Sequence, residues 1–411
     1  MLARRHTHFI DDLHRPVYHF LPPQNWMNDP NGLIHWKGKY HLFYQHNPFD
    51  AVWGTMHWGH AISHDLVHWQ DMPHALAPTP DSPDEAGVWS GCVVNHNGVA
   101  TAVYTGVRGD NHELQTVCLA VSYDADLRTW QKFAHNPVIC APPEEFSGCG
   151  FRDPYVWREA DAWYMVIGAG IKDGGEAVLL YRSQNLYEWE YLSPLVVSDA
   201  QNDYVYECPN FFQIGDKWVL LVSVMPEACV EYYVGILWHN HFLIESHGVL
   251  VDAPFYAPLT FKDHLGRRLM MGWLRETRPH EPGYVTGWSG VMSLPIQIDL
   301  LESNQILLTP IRESLQEKDT TGYWFFQNVG EDQLHELQAE VGSTALKIVI
   351  SEDMSQTLFV DHSIAEYFSF PHYQTKRLYG EDEAGLKALK HFVSFPIERI
   401  GVWSIASIWG K

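Results

Sequence analysis

Along the first three quarters of the chain, short runs of aromatic and β-branched residues alternate with polar turns. The runs come in pairs. Gly32–Trp36 goes with Tyr40–Gln45, and Gly91–Asn95 with Ala100–Thr105. Pro154–Arg158 goes with Ala162–Ile167, Pro209–Ile214 with Lys217–Val222, and Pro258–Lys262 with Arg268–Trp273. The segments between partners are Lys37-Gly38-Lys39, Asn97-Gly98, Glu159-Ala160-Asp161, Gly215-Asp216 and His264-Leu265-Gly266. Such turns close hairpins, because Gly and Asn tolerate the positive φ that a tight reversal demands. The pattern therefore predicts five antiparallel units.

A second repeat runs in phase with the first. Ser63-His64-Asp65-Leu66-Val67-His68-Trp69 returns as Ser122–Trp130 and again as Ser183–Trp189. Its closing Trp residues stand about 60 positions apart. Sheet units at a fixed period, with few helical stretches, predict an all-β, five-bladed β-propeller over residues 1–310. A sandwich would not explain so long a period.

The pattern changes after Leu294-Pro295. Arg312–Lys318 is short and charged, and residues 311–320 are expected to be a helical linker. Beyond Thr321 the expected strands are Ala345–Ser351, Thr357–Val360, Ala365–Phe370, Lys390–Phe395 and Ile400–Trp409. They predict a small, shortened β-sandwich over residues 321–411.

Composition narrows the function. The 411 residues carry 50 acidic and 27 basic side chains, a formal charge of −23. That charge repels phosphate backbones and anionic lipid, so neither nucleic acid nor a membrane surface is an expected partner. Aromatic residues make up 14% of the chain, including 17 Trp. They suit either a packed β core or a site for flat-faced, neutral ligands such as sugars. No apolar run follows the basic residues Arg4 and Arg5, and none reaches the ~18 residues of a membrane span, so a cytoplasmic location is expected. The six cysteines form no C-x-x-C pair, which favours reduced thiols. A Cys140–Cys149 disulfide stays open.

Three carboxylates fall at one phase of the repeat. Asp29 precedes Pro30, Asp153 precedes Pro154, and Glu207 lies two residues before Pro209. Acidic residues before Pro are ordinary turn chemistry. In phase, however, they converge at one mouth of a propeller channel, where like charges repel and raise one another's pKa. Paired carboxylates with separate roles are the machinery of glycoside hydrolysis. One stays ionised and one is kept protonated by its surroundings.

Asn25-Trp26-Met27-Asn28-Asp29-Pro30-Asn31-Gly32 resembles the signature of glycoside hydrolase family 32, the invertase and fructanase family. So do Tyr40–Pro48, Trp58–Trp69, Phe151-Arg152-Asp153-Pro154, Glu207-Cys208-Pro209, Gly287–Pro295 and Val360–Phe368. The resemblance spans nearly the whole chain in order. It implies a propeller with an appended sandwich and a retaining β-fructofuranosidase, with sucrose the expected substrate. Asp29 is then the nucleophile, Glu207 the acid/base and Asp153 the transition-state stabiliser. The two reacting carboxyl groups are expected about 5–5.5 Å apart. Asn28, Gln45, Trp53, Trp89, Ser90, Arg152, Tyr256 and Trp273 match positions that line the sugar pocket. Arg152 is expected to pair with Glu207 or Asp153. No metal and no organic cofactor is implied; the partner is a small neutral sugar, and the oligomeric state is left open. A sucrose-6-phosphate hydrolase, an exo-fructanase and a fructosyltransferase are the alternatives within the family. Trp89 stands where the family has Phe, and Cys92 where it has Ser.

Other readings are weaker. His57, His60, His64 and His68 have a spacing that would suit a metal on a helix. Trp58–Ser63 reads as a strand, which splits them between faces. An inverting arabinanase-like propeller also uses three carboxylates, but the full Trp26–Gly32 motif argues against it. A carbohydrate-binding propeller without catalysis would not need all three. Asp361 and Glu366, in the C-terminal module, are expected to be structural.

Overall fold

The computed structural model describes residues 12–109, 112–198, 202–278, 287–315, 323–341, 344–351, 355–379 and 385–408. The second half of the expected linker, residues 316–320, lies outside that set, as do the N-terminal basic residues and Trp409. Regular structure is overwhelmingly strand. The α-helices among the described residues are Arg312–Leu315, Leu334–Val341 and Leu389–Phe392. None is long and apolar enough to cross a membrane.

All five expected hairpins form, and each grows into an antiparallel sheet in chain order. The opening strands are Asn25–Trp36, Gly87–His96, Phe151–Glu159, Glu207–Ile214 and Phe255–Lys262. Each touches the next, and the fifth touches the first, so the sheets form a closed ring. Trp288–Ser289 seals it by pairing in parallel with Asn25–Trp26. The turns behave as their residues dictate. Lys37 and Gly38 have φ of 45° and 84°, and Asn97 and Gly98 have 55° and 86°. Two successive positive φ values make the primed turn that matches strand twist.

The Ser…Trp repeat has a physical cause. Leu66, Leu127 and Leu186 each adopt positive φ (66°, 52° and 69°) and are buried. Each such turn is clamped by side chains. Ser63 Oγ accepts from Leu66 N (2.8 Å), and Ser183 Oγ accepts from Leu186 N (3.0 Å). In the middle copy, Asp124 accepts from the backbone of Asp126, Arg128 and Thr129. The indole N–H of Trp69, Trp130 or Trp189 then caps the leucine carbonyl at 3.2, 2.9 and 2.8 Å. Side chains that satisfy a turn's backbone are strongly favoured there.

The C-terminal module departs from expectation. Its described strands form one six-stranded antiparallel sheet, not two layers of sheet. The facing layer is helical: Leu334, Leu337 and Val341, with Leu386 and Leu389, pack on Leu346, Ile348, Leu358 and Val360. An amphipathic helix buries the same apolar face that a second sheet would. Lys390–Phe395, expected as a strand, begins instead inside the helix Leu389–Phe392. Short apolar runs fit either period. The helix Leu334–Val341 and the strands Tyr323–Val329 and His372–Arg377 were not expected individually. The other face of the sheet packs on the ring. Phe359 stacks with Tyr18, and Tyr373 meets Phe255 edge-on.

Candidate active site

The site begins with a backbone irregularity. In the opening strand of every sheet of the ring the pairing slips near the start: at Met27/Pro30, Trp89/Gly91, Arg152/Tyr155, Glu207/Asn210 and Tyr256/Leu259. These are β-bulges, which unpair residues and re-aim their side chains. Pro30, Pro154, Pro209 and Pro258 sit at four of them, where the missing N–H costs no ladder bond. Asp153 itself has φ 66°, and Cys208 and Ala257 have 46° and 47°. The acid-before-Pro pattern is thus a bulge signature.

The bulges deliver side chains to one cavity of about 330 Å³ at one mouth of the ring. Its lining contains all eleven expected residues: Asn28, Asp29, Gln45, Trp53, Trp89, Ser90, Arg152, Asp153, Glu207, Tyr256 and Trp273. Met56 lines it too and was not expected. Gly168 allows the third and fourth sheets to close here. A Cβ at that position would collide with the carbonyl oxygen of Tyr206, beside Glu207.

Each carboxylate has its own partners. Asp29 Oδ2 accepts from Ser90 Oγ (2.7 Å) and from Cys208 Sγ (3.5 Å). Asp153 Oδ2 accepts from the backbone N–H of Cys208 (3.0 Å), while its own N–H donates to Thr105 Oγ1 (2.9 Å). Glu207 is gripped from both sides. Arg152 donates to its Oε1 at 3.0 Å, and Tyr256 OH donates to its Oε2 at 2.6 Å. Arg152 is also 4.0 Å from Asp153 and is steadied by Gln115 at 3.2 Å. Both pairings expected of Arg152 therefore occur, the tighter one with Glu207.

The carboxyl groups are electrostatically coupled, so their protons belong to the group. Burial pushes Asp153 up to about 7. Arg152 opposes the rise, and the charges of Glu207 and Asp29 add to it. Burial also raises Asp29, against hydrogen bonds from Ser90 and Asn28 that favour its ionised form. Burial and mutual repulsion thus raise both Asp29 and Asp153.

Aromatic rings form the walls. Trp53 and Trp89 meet edge to face at 6.0 Å, with His112 against both at 5.2 and 5.5 Å. Trp53 is 46% exposed and so stands at the mouth. Trp273 packs against Trp26 at 5.7 Å. Gln45 is held by the carbonyl of Val88 (3.1 Å). Thr105, Gln115 and His112 escaped sequence reasoning, because nothing local marks a residue that works from a neighbouring sheet. Cys208 was visible only as part of a motif.

The decoys resolve. His60 is buried against His41 (3.1 Å), His57 bonds the Thr55 carbonyl, and His68 caps Asp65. Among the described residues no group of three His, Cys, Asp or Glu side chains could hold a metal ion. All six cysteines are unpaired, and Cys149 Sγ donates to the carbonyl of Tyr204 (3.0 Å).

Comparison with known proteins points the same way. Residues 19–310 match the family described as Glycosyl hydrolases family 32 N-terminal domain. The chain is similar to the sucrose-6-phosphate hydrolase of Zymomonas mobilis, 38% identical over 324 residues, covering 72% of this chain and 62% of that protein. It is 39% identical over 321 residues to the sucrose-6-phosphate hydrolase of Escherichia coli, covering 73% of this chain and 65% of the relative. The chain thus spans slightly under two thirds of each relative's length. A beta-fructofuranosidase of Bombyx mori superposes with a TM-score of 0.75 at 25% identity, over 99% of this chain and 98% of that one.

Proposed function

Since the chain belongs to glycoside hydrolase family 32, we propose that it is a retaining β-fructofuranosidase that removes terminal fructosyl units, with sucrose as substrate. The catalytic unit is residues 1–310, read as a five-bladed propeller; residues 311–320 are the linker and 321–411 the accessory module.

Asp29 attacks C2 of the fructosyl unit from the cavity floor. Glu207 gives its proton to the departing glycosidic oxygen, and a fructosyl–Asp29 ester forms. Glu207 then takes a proton from water, which attacks C2 and frees Asp29. Asp153 accepts hydrogen bonds from fructose hydroxyls and steadies the oxocarbenium-like transition state. Arg152 and Tyr256 hold Glu207 in place, Ser90 holds Asp29, and Gln45 and the Trp walls hold the sugar. Two inversions at C2 retain its configuration.

The observation that carries this reading is the meeting of Asp29, Asp153 and Glu207, from three separate sheets, in one aromatic-walled cavity. Its test is the anomer first released from sucrose, followed by NMR. β-Fructofuranose is expected; α-fructofuranose as the first product would sink the double displacement.

A phosphorylated sucrose is a second reading, and one residue favours it. Arg275 follows the strand Arg268–Leu274 at the mouth and stacks over Tyr256 and Trp273 at 5.4 and 5.7 Å. Among the described residues its guanidinium has no carboxylate partner, so it is available to a phosphate on the leaving glucose. If phosphorylated sucrose is the better substrate, Arg275→Gln lowers kcat/KM for it by about 10-fold or more, as for loss of a charge-assisted hydrogen bond. Sucrose turnover should stay within about 3-fold, because the neutral sugar makes no such bond. Equal losses on both substrates would remove Arg275 from substrate selection.

A further inference from the structure

A second cavity, about 510 Å³ and larger than the carboxylate pocket, lies between the third, fourth and fifth sheets. It is at the opposite end of the ring. Its lining includes the last residues of the same opening strands: Arg158 and Glu159, Gln213 and Ile214, and Lys262. Three strands thus run from one cavity to the other. At their first ends they carry Asp153, Glu207 and Tyr256.

The chemistry of the two ends is opposite. Arg158, Lys262 and Arg268 line the second cavity, and among the described residues none has a carboxylate within ion-pair distance. The guanidinium of Arg158 turns away from the cavity toward the second sheet; it reaches Asn97 Oδ1 at 3.5 Å and lies over Trp163 at 5.5 Å. Arg268 donates to Tyr155 OH at 3.0 Å and lies over Phe212 at 4.6 Å, and its Nε has no partner. Arg267, in the same wall, is by contrast paired with both Asp263 and Glu313. The carboxylates in the lining are Glu159 and Asp299, and Asp299 accepts from Gln297 (2.7 Å). In a chain with 50 acidic and 27 basic residues, two cations, Lys262 and Arg268, left without carboxylates at one cavity are not a stability feature. Like charges gather where an anion is to be held. Trp157 lines the wall beside them, and its buried indole N–H, without a hydrogen-bond partner among the described residues, is a donor for a sugar hydroxyl.

We propose that this cavity is a second, non-catalytic binding site for a phosphorylated hexose, with the phosphate on Lys262 and Arg268 and the ring against Trp157. The volume suits a small ligand, since sites of this kind span roughly 300–1,000 Å³. The reading is independent of the reaction at the other mouth, and binding is measured without turnover.

The test is calorimetric titration of the full chain with fructose 6-phosphate, inorganic phosphate and fructose. Fructose 6-phosphate is expected to bind with Kd of about 10⁻⁵–10⁻³ M, and inorganic phosphate about 10-fold more weakly for want of the ring contacts. Lys262→Gln and Arg268→Gln should each weaken fructose 6-phosphate by about 5- to 10-fold, one charge-assisted bond apiece. Arg275→Gln should leave it unchanged. Lys262 is exposed, so its variant folds even where Arg268→Gln fails to. Affinity unchanged in Lys262→Gln, or lost in Arg275→Gln, would put the anion elsewhere and overturn the site. Inorganic phosphate binding as tightly as the sugar phosphate would overturn the hexose assignment.

Discussion

Asp29→Asn and Glu207→Gln are each expected to lower kcat on sucrose by about 10²–10³-fold or more, the magnitude of a positioned nucleophile or general acid. Both changes keep the side chain's shape, so the folded protein and its affinity for sucrose should change little. The variants then differ in a diagnostic way. A carboxamide in place of the Asp29 carboxylate cannot form the ester, so no substrate rescues Asp29→Asn. A carboxamide in place of the Glu207 carboxyl cannot protonate the leaving oxygen, but an aryl fructoside with an acidic phenol needs no such help. Its first step should recover in Glu207→Gln, leaving deglycosylation slow. Near-full activity of either variant on sucrose would dismiss the role assignment. Loss without recovery on the aryl substrate would dismiss Glu207 as the acid while leaving its contacts to Arg152 and Tyr256 intact.

Asp361→Asn and Glu366→Gln are expected to destabilise the protein by about 3–5 kcal/mol each, because each replaces a charged acceptor that serves several buried donors at once, at about 1.5–3 kcal/mol per charge-assisted bond. His19, fully buried, lies between the two carboxylates, 2.9 Å from Asp361 and 2.6 Å from Glu366. Asp361 also accepts from the backbone N–H groups of Val17, Tyr18 and His19. Glu366 accepts from Leu294 N (2.8 Å) and from Tyr373 OH. The cluster therefore clasps the module sheet to the segment that enters the ring and to the segment that closes it. Burial alone would push the His19 imidazolium down, but its two carboxylates outweigh burial and hold it up at about 9. Asp361 is held well below the usual carboxylate range. Burial opposes this, and hydrogen bonds from His19 and His362 overcome it.

The signs follow from linkage. The His19 contribution is complete below the unfolded value of about 6.5 and is lost as pH rises through about 9. The Asp361 contribution is complete above its unfolded value of about 3.9 and is lost in acid. Thermal melts across pH should show a plateau that narrows on its alkaline side. In Asp361→Asn that alkaline fall should shrink, because His19 loses one of the partners that raise it. An unchanged melting profile would mean the clasp carries no net stability.

How much of this was legible in advance depended on the range of the interaction. The hairpins were readable because positive-φ turns select Gly and Asn within two residues. The Ser…Trp repeat was readable because its hydrogen bonds span fewer than ten positions. The bulges left a trace as Pro after an acid or a cysteine. The C-terminal module read less well. Its runs are short, and a helix and a strand bury an apolar residue equally well over one turn.

The sequence by itself therefore determined the antiparallel units, their turn chemistry, and the recurrence of Asp29, Asp153 and Glu207 at one phase. Only the tertiary structure decided that the opening strands touch in a ring and bring eleven expected residues to one cavity. It also decided which donor each carboxylate receives. Gln115, the Cys208 thiol and the His19 clasp come from partners tens to hundreds of positions away, as does the cationic cavity at the far end. Backbone preference is written locally, whereas the meeting of distant side chains depends on how the ring closes. No single segment encodes that closure.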